Sequence, residues 1–112
     1  PAGARFTDYL ANGGPRQKRM AMRFVNERSL ETVARLAVIA GDLGMSVTTL
    51  AAAWSRQHDF VASTIIGATT VAQLEESLKA AEVVLDGETL RRIDEIDFEI
   101  PNPMTEDGLR RL

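Results

Sequence analysis

The 112-residue sequence contains no cysteine, a single histidine and no long apolar run. The lack of cysteine excludes a disulfide framework and a thiolate metal site. It also agrees with a reducing compartment, so we expect a cytoplasmic protein. No apolar stretch approaches the roughly 20 residues that a membrane span needs, and the first ten residues lack the apolar core of a signal peptide. We therefore expect neither a membrane partner nor a bound metal.

Charge is unevenly distributed along the chain, although the net charge is only -3. Residues 1–35 carry seven Lys or Arg and three Asp or Glu, whereas the remaining residues carry six and thirteen. The basic opening could meet an anion such as a phosphate. A solvated, arginine-rich loop is the simpler interpretation of the same residues.

Hydrophobic periodicity predicts a loop followed by four helices. Residues 1–28 show no steady period and contain the break Gly13-Gly14-Pro15, so we expect a long loop there. Residues 29–103 carry helical patterns, and residues 104–112 are expected to form a frayed tail. Gly44 should end the first helix. The residues expected to cap the four helix starts are Ser29, Ser46, Thr70 and Asp86. The expected buried faces include Leu30 and Val33, then Leu50 and Trp54, then Leu74 and Leu78, and finally Leu90, Ile93 and Ile96.

One segment, "FVASTIIG" at residues 60–67, has the β-branched composition of a buried strand. A single buried strand cannot satisfy its own backbone N–H and C=O groups. Its partner strands must therefore lie outside this chain. The sequence predicts a piece of a larger α/β protein that is mostly helical and has one clear strand.

The middle of the chain also fits a helix-turn-helix motif. Ala40, Gly44 and Leu50 have its spacing of a small residue, a turn glycine and a buried apolar residue. The second helix of such a motif should carry side chains that reach bases or phosphates. Here that helix offers three consecutive alanines and one cation, Arg56. Two packed helices are the favoured interpretation, and a DNA-binding module remains the alternative.

The stretch after the predicted strand has the features of an anion site. Gly67 lets a ligand approach the backbone, and the helix that follows presents N–H groups and a partial positive charge to the same space. Thr69 and Thr70 can donate hydroxyl hydrogen bonds. Thr70 and Gln73 also fit a capping box, which would occupy both side chains within the helix. Spacing alone favours the capping role for Gln73.

The segment around Gly67 and the segments on both sides of it resemble a known protein family. "ASTIIGATTVAQLEESL" resembles the last barrel strand and following helix of aldo-keto reductases, within the branch of Tas-like reductases and potassium-channel β subunits. "VARLAVIAGDLGMSVTTLAAAWSRQHDFVAS" is similar to the helices before that strand, "VVLDGETLRRIDEID" to the closing helix, and "PAGARF" to the loop after the seventh strand. The resemblance implies that residues 1–112 are the C-terminal part of one (β/α)8 barrel domain, an α/β fold, with residues 1–28 as the loop after strand 7.

The resemblance further implies an NADP(H) site. It puts Gly67 and Ala68 near the adenosine phosphates, Thr69 and Arg5 at the 2′-phosphate, and Gln73, Glu76 and Ser77 at the adenosine. Ser77 stands where the family usually has Asn, and serine has a shorter reach and fewer donors. The planar guanidinium of Arg5 suits a phosphate dianion.

The family's catalytic Tyr, Lys, Asp and His all match positions before the start of this chain. Tyr9 does not match the catalytic tyrosine, and His58 sits at a predicted helix end. The resemblance therefore implies a cofactor-binding segment that is inactive alone, within a protein that reduces a small aldehyde or ketone and needs no nucleic acid. A non-catalytic regulatory subunit of the same fold is a further alternative. Substrate and oligomeric state are left open.

Overall fold

A computed structural model describes residues 5–102, apart from the side chain of Arg5. The predicted tail, residues 104–112, lies outside the described residues. The described residues divide into two compact units, one containing residues 5–34 and 96–102 and the other residues 35–95. Helices α1 to α6 span Arg5–Asn12, Pro15–Phe24, Glu27–Asp42, Val47–Arg56, Val71–Leu78 and Gly87–Glu99, and a 3₁₀ helix spans Lys79–Glu82.

The first unit corrects the expectation of an irregular opening loop, because residues 5–12 and 15–24 are helical. The predicted break lies between them. A Cβ built on Gly13 would lie 2.5 Å from the carbonyl oxygen of Tyr9, so only glycine permits this close approach. Phe6 stacks on Phe24 with ring centroids 5.1 Å apart, which joins α1 to the end of α2. Aromatic packing across a glycine turn thus holds together two helices that show no steady hydrophobic period.

The start of α3 also differs from the prediction. Ser29 does not cap the helix but lies inside its first turn. The amide of Ser29 donates to Oδ1 of Asn26 at 3.0 Å, and the amide of Asn26 donates to Oγ of Ser29 at 3.1 Å. This reciprocal pair is a capping box with Asn26 as the cap. The prediction was wrong by three residues because both side chains are good caps at that spacing.

The end of α3 confirms the prediction for Gly44. This residue has φ of +70°, the left-handed region that favours glycine. Its amide donates to the carbonyl of Gly41, and the amide of Met45 donates to the carbonyl of Ala40. These two bonds define a Schellman motif, which satisfies carbonyls that the helix leaves unpaired.

In the second unit, α4 packs through a face rotated from the predicted one. Ser46 caps the helix as predicted, because its Oγ accepts from the amide of Thr49 at 3.1 Å. Thr49, Leu50 and Ala53 are buried, whereas Trp54 remains 38% exposed. Leu50 and Thr49 are the largest fully buried side chains of the described residues. A threonine hydroxyl therefore occupies a position that the sequence pattern did not single out.

The predicted strand is not formed within residues 5–102. Residues 60–67 have no ladder hydrogen bonds, and the side chain of Ile65 is 95% exposed. The prediction of one clear strand was wrong for the isolated chain, because a strand exists only when a neighbouring strand pairs with its backbone. Several predicted inward faces are likewise exposed, namely those of Leu30, Val33, Leu74 and Leu78.

The last part of the second unit is held by the side chain of Gln57, the residue that follows α4. The amide group of Gln57 donates to the carbonyl of Leu85 and accepts from its N–H, both at 2.7 Å. Asp86 caps α6 as predicted, because its Oδ1 accepts from the amide of Thr89 at 2.8 Å. Ile93 is buried as predicted, and so is Ile96, which belongs to the first unit.

No single helix among the described residues has the length and apolar composition to cross a membrane, and α3 with α4 meets those two criteria only as a pair bent by 90°.

Candidate functional site

The loop before α5 contains three of the predicted contact residues, Gly67, Ala68 and Thr69, and all three are exposed. A Cβ built on Gly67 meets no atom within 4 Å, and its φ lies outside the left-handed region. Neither packing within the chain nor backbone conformation therefore requires glycine at this position. The surface at Gly67 is open to close approach by another molecule.

The start of α5 holds Thr69 and Gln73 together. Oε1 of Gln73 accepts hydrogen bonds from the amide of Thr69 at 2.8 Å and from its hydroxyl at 3.0 Å. Thr70 caps the helix as predicted, because its Oγ1 accepts from the amide of Gln73 at 3.2 Å. The second half of the predicted capping box differs, since the Gln73 side chain reaches Thr69 rather than Thr70. The result is a fixed, exposed turn at the helix start.

The first turn of α5 presents backbone donors. Within the part of the chain that the structure describes, the N–H groups of Val71 and Ala72 make no hydrogen bond to the protein. These groups carry the partial positive charge of the helix start. The hydroxyl of Thr69 lies beside them but donates to Gln73, so the two N–H groups are the donors that suit a phosphate group, and the hydroxyl joins them only when it releases Gln73.

Glu76, on the second turn of α5, lies in a network that reaches α4. Its main-chain carbonyl accepts a 2.7 Å hydrogen bond from the hydroxyl of Thr49, and its Oε2 lies 3.4 Å from the same hydroxyl. Its Oε1 forms an ion pair with Lys79. Hydrogen bonds from Lys79 and then Ser46 lower the pKa of the Glu76 carboxyl, so this group is a carboxylate at neutral pH.

A cavity of about 560 Å³ lies beside this network. Its polar wall is formed by Ser46, Thr49, Glu76 and Lys79, and the rest of its lining comes from residues 41–45 and Val83. The carboxylate of Glu76 is therefore available to a ligand that enters the cavity. Thr49 and Lys79 were not predicted as part of this site, because the sequence gives no signal that joins Thr49 to a residue 27 positions later.

The two remaining predicted contact residues are Ser77 and Arg5. Ser77 follows Glu76 on α5 and is half-buried. Arg5 begins α1, and its side chain lies outside the described residues. Six of the seven predicted contact residues thus fall within residues 67–77, on one loop and one short helix.

Sequence analysis gave no catalytic role to Tyr9 or His58, and in the structure both residues make local contacts. Nδ1 of His58 lies 2.7 Å from the carbonyl oxygen of Trp54, and the two rings pack edge to face. The ring of Tyr9 packs against Phe6 with centroids 6.1 Å apart. Among the described residues, no group of three or more His, Asp or Glu side chains could hold a metal ion.

The DNA-binding alternative depends on Arg56. Its guanidinium donates to the carbonyl of Ala80 at 3.2 Å and to that of Val83 at 2.8 Å. Both contacts join α4 to the segment before α6. The one cation of the presumed recognition helix is therefore engaged in the fold, and the structure gives this alternative no support.

Comparison with known proteins identifies the family. Residues 3–97 match the sequence model of the aldo/keto reductase family, so the chain belongs to that family. A putative voltage-gated potassium channel subunit beta of Schizosaccharomyces pombe is 38% identical over 69 residues, which are 60% of this chain and 20% of that protein.

Two further relatives come from a plant and a bacterium. A probable voltage-gated potassium channel subunit beta of Oryza sativa subsp. japonica is 38% identical over 84 residues, covering 75% of this chain and 24% of that protein. Protein tas of Escherichia coli is 31% identical over 96 residues, covering 86% of this chain and 25% of that protein. The chain spans a quarter or less of these relatives, and they confirm the expected branch of the family.

Proposed function

We propose that this chain is the C-terminal, cofactor-binding part of an NADP(H)-dependent aldo-keto reductase. In the intact protein it would complete a (β/α)8 barrel and hold the adenosine and 2′-phosphate end of the cofactor. The intact protein would reduce a small aldehyde or ketone in the cytoplasm. These statements rest on membership of the family together with the geometry around Gly67.

The barrel proposal is supported by the irregular, β-branched segment before α5. Residues 62–68 form neither helix nor strand, and Ile65 is almost fully exposed. A β-branched segment of this kind becomes stable when strands pair on both its edges. Barrel enzymes carry their sites at the C-terminal ends of such strands, where Gly67 stands in this chain.

The observation that carries the cofactor proposal is the donor set at the start of α5. The Thr69 hydroxyl and the N–H groups of Val71 and Ala72 are exposed beside a glycine whose Cβ position is open. A 2′-phosphate bound there would accept from the backbone N–H groups and would draw the Thr69 hydroxyl away from Gln73, with Arg5 as the expected cation.

This part of the protein binds and orients, whereas the chemistry belongs elsewhere. The nicotinamide supplies a hydride to the carbonyl carbon when the cofactor is bound. By the family resemblance, the proton donor and its partners match positions outside this chain. Residues 67–77 would fix the distant end of the cofactor, so that the nicotinamide is held at the substrate. The segment alone should therefore show no reductase activity.

The test compares NADPH and NADH binding to the intact protein by calorimetry. Thr69→Val keeps the shape of the side chain and removes its hydroxyl. A hydrogen bond to a charged group is worth about 1.5–3 kcal/mol, so NADPH affinity should fall about 10- to 100-fold. NADH lacks the 2′-phosphate, and its affinity should change little.

Thr48→Val is the matched control, because Thr48 is an exposed threonine on α4. It should leave both affinities unchanged. Failure of the intact wild-type protein to bind NADPH would contradict the proposed function, as would an equal loss of both cofactors in Thr69→Val.

A second candidate is a cofactor-binding subunit without turnover. It is favoured by the names of the Schizosaccharomyces and Oryza relatives, which are channel subunits. Both candidates predict NADPH binding, so a rate measurement separates them. Oxidation of bound NADPH by a panel of aldehydes and ketones would support the reductase, and its absence with a folded, NADPH-bound protein would support the subunit.

A further inference from the structure

Helix α5 has no buried side chain of its own. None of the residues from Val71 to Leu78 is buried, and the apolar side chains of Leu74 and Leu78 are 40% and 56% exposed. Apolar packing within this unit therefore does little to fix where α5 lies. Yet α5 carries the residues that we propose for the adenosine end, so its position decides where they stand.

One buried hydroxyl fixes α5 from the neighbouring helix. Thr49 is 2% exposed, and its hydroxyl donates to the main-chain carbonyl of Glu76 at 2.7 Å. The same oxygen accepts a 3.0 Å hydrogen bond from the hydroxyl of Ser46. Ser46 is itself held as the cap of α4. Both hydroxyl groups are satisfied, so the orientation of Thr49 is determined by its partners.

The network ends at the one carboxylate on the polar wall of the cavity. The main-chain carbonyl of Glu76 accepts from Thr49, which fixes the backbone at this residue, and the side chain pairs with Lys79, which restricts its rotamers. The carboxylate borders the cavity of about 560 Å³. A carboxylate only accepts hydrogen bonds, so it selects a ligand edge that donates, such as an exocyclic amine of a base.

We propose that Thr49, oriented by Ser46, is a positioning residue for the cofactor: it fixes α5 through the carbonyl of Glu76 and so aims the Glu76 carboxylate at the 6-amino group of adenine. This inference rests on the proposed function. Thr49 does not touch the cofactor. Thr49 raises the selectivity for adenine over other bases, whereas Thr69 contributes to the affinity for the 2′-phosphate.

The test measures a selectivity ratio, defined as the dissociation constant of the hypoxanthine analogue divided by that of NADPH. The dissociation constants of the intact protein are measured for NADPH and for its analogue in which hypoxanthine replaces adenine. That analogue has a carbonyl oxygen in place of the 6-amino group, so a well-placed carboxylate should disfavour it about 10-fold or more. Thr49→Val should reduce this ratio by about 3- to 10-fold.

Three further variants complete the design. Thr49→Ser keeps the hydroxyl and should retain most of the ratio, Glu76→Gln should reduce it, and Thr48→Val should leave it unchanged. If Thr49→Val does not fold, Ser46→Gly serves instead. It removes the hydroxyl that donates to Thr49 and also interacts with the Glu76 carboxylate. Glycine remains a tolerable cap, and the variant should lower the ratio in the same direction.

Each result bears on one proposal or the other. A wild-type protein that binds neither cofactor contradicts the proposed function itself. A wild-type protein that binds NADPH, with Thr49→Val weakening both cofactors by one factor, leaves the cofactor site standing and overturns the positioning role. An unchanged ratio in Ser46→Gly overturns it equally. A lowered ratio that Thr49→Ser restores supports it.

Discussion

Two glycines three residues apart should respond in opposite directions to the same substitution. Gly44 has φ of +70°, whereas Gly41 lies within α3. A Cβ built on either residue meets no atom within 4 Å. An added methyl group therefore clashes with nothing at either position, and backbone conformation alone decides how each substitution changes the free energy of unfolding.

The magnitudes follow from the conformational preferences of alanine. At Gly44, alanine must adopt the left-handed region, which costs roughly 1–2 kcal/mol. At Gly41, alanine replaces a poor helix former with the best one, which should stabilise the protein by about 0.5–1 kcal/mol. We therefore expect the free energies of unfolding of Gly44→Ala and Gly41→Ala to differ by roughly 1.5–3 kcal/mol.

The assay is urea unfolding of the intact protein, with far-ultraviolet circular dichroism as the signal. The urea midpoint of Gly44→Ala should lie below that of the wild type, and the midpoint of Gly41→Ala should lie above it. An unchanged dependence of the unfolding free energy on urea would indicate that the substitutions alter stability rather than the unfolded ensemble. Gly44→Asn, which tolerates the left-handed region better, should recover part of the loss. Equal midpoints for both alanine variants would refute the Schellman geometry at the end of α3.

Two further predictions concern the segment before α6. Gln57→Ala removes both hydrogen bonds to Leu85 and should cost about 2–6 kcal/mol, since each of the two unsatisfied buried groups costs roughly 1–3 kcal/mol. Gln57→Glu keeps the acceptor, so hydrogen exchange of the Leu85 amide should stay slow in that variant and become faster only in Gln57→Ala. The amide of Thr89 lowers the pKa of Asp86, so the folded state favours the carboxylate. Its contribution to stability is present above the unfolded pKa of about 3.9 and is lost as the pH falls through the folded pKa. An acid titration of unfolding should therefore separate wild type from Asp86→Asn below about pH 4, and parallel curves would contradict the cap.

Local sequence rules predicted the helix ends better than they predicted the packing. The caps at Ser46, Thr70 and Asp86 were confirmed because each depends on a contact three residues away. The cap of α3 was wrong because Asn26 and Ser29 are both suitable, and the chain uses them as a reciprocal pair.

Long-range features escaped prediction for a physical reason. The strand depends on backbone partners that are not among the described residues, so its composition alone could not produce it. The role of Thr49 depends on a carbonyl 27 residues later, and nothing in the local pattern distinguishes Thr49 from Thr48. The cofactor contacts at Gly67, Thr69, Gln73 and Glu76 stay predictions from the family resemblance, and the structure adds a connection of Glu76 to α4.

The exposure of Ile65 bears on how a protein containing this segment is made and handled. An unpaired, β-branched edge can hydrogen-bond to the same edge of another copy, which is how many chains begin to aggregate. Until residues 62–68 find their neighbours, a nascent or proteolysed polypeptide would present this edge to chaperones and to itself. In the proposed barrel, prompt pairing of this segment with its neighbouring strands would protect solubility as well as complete the cofactor site.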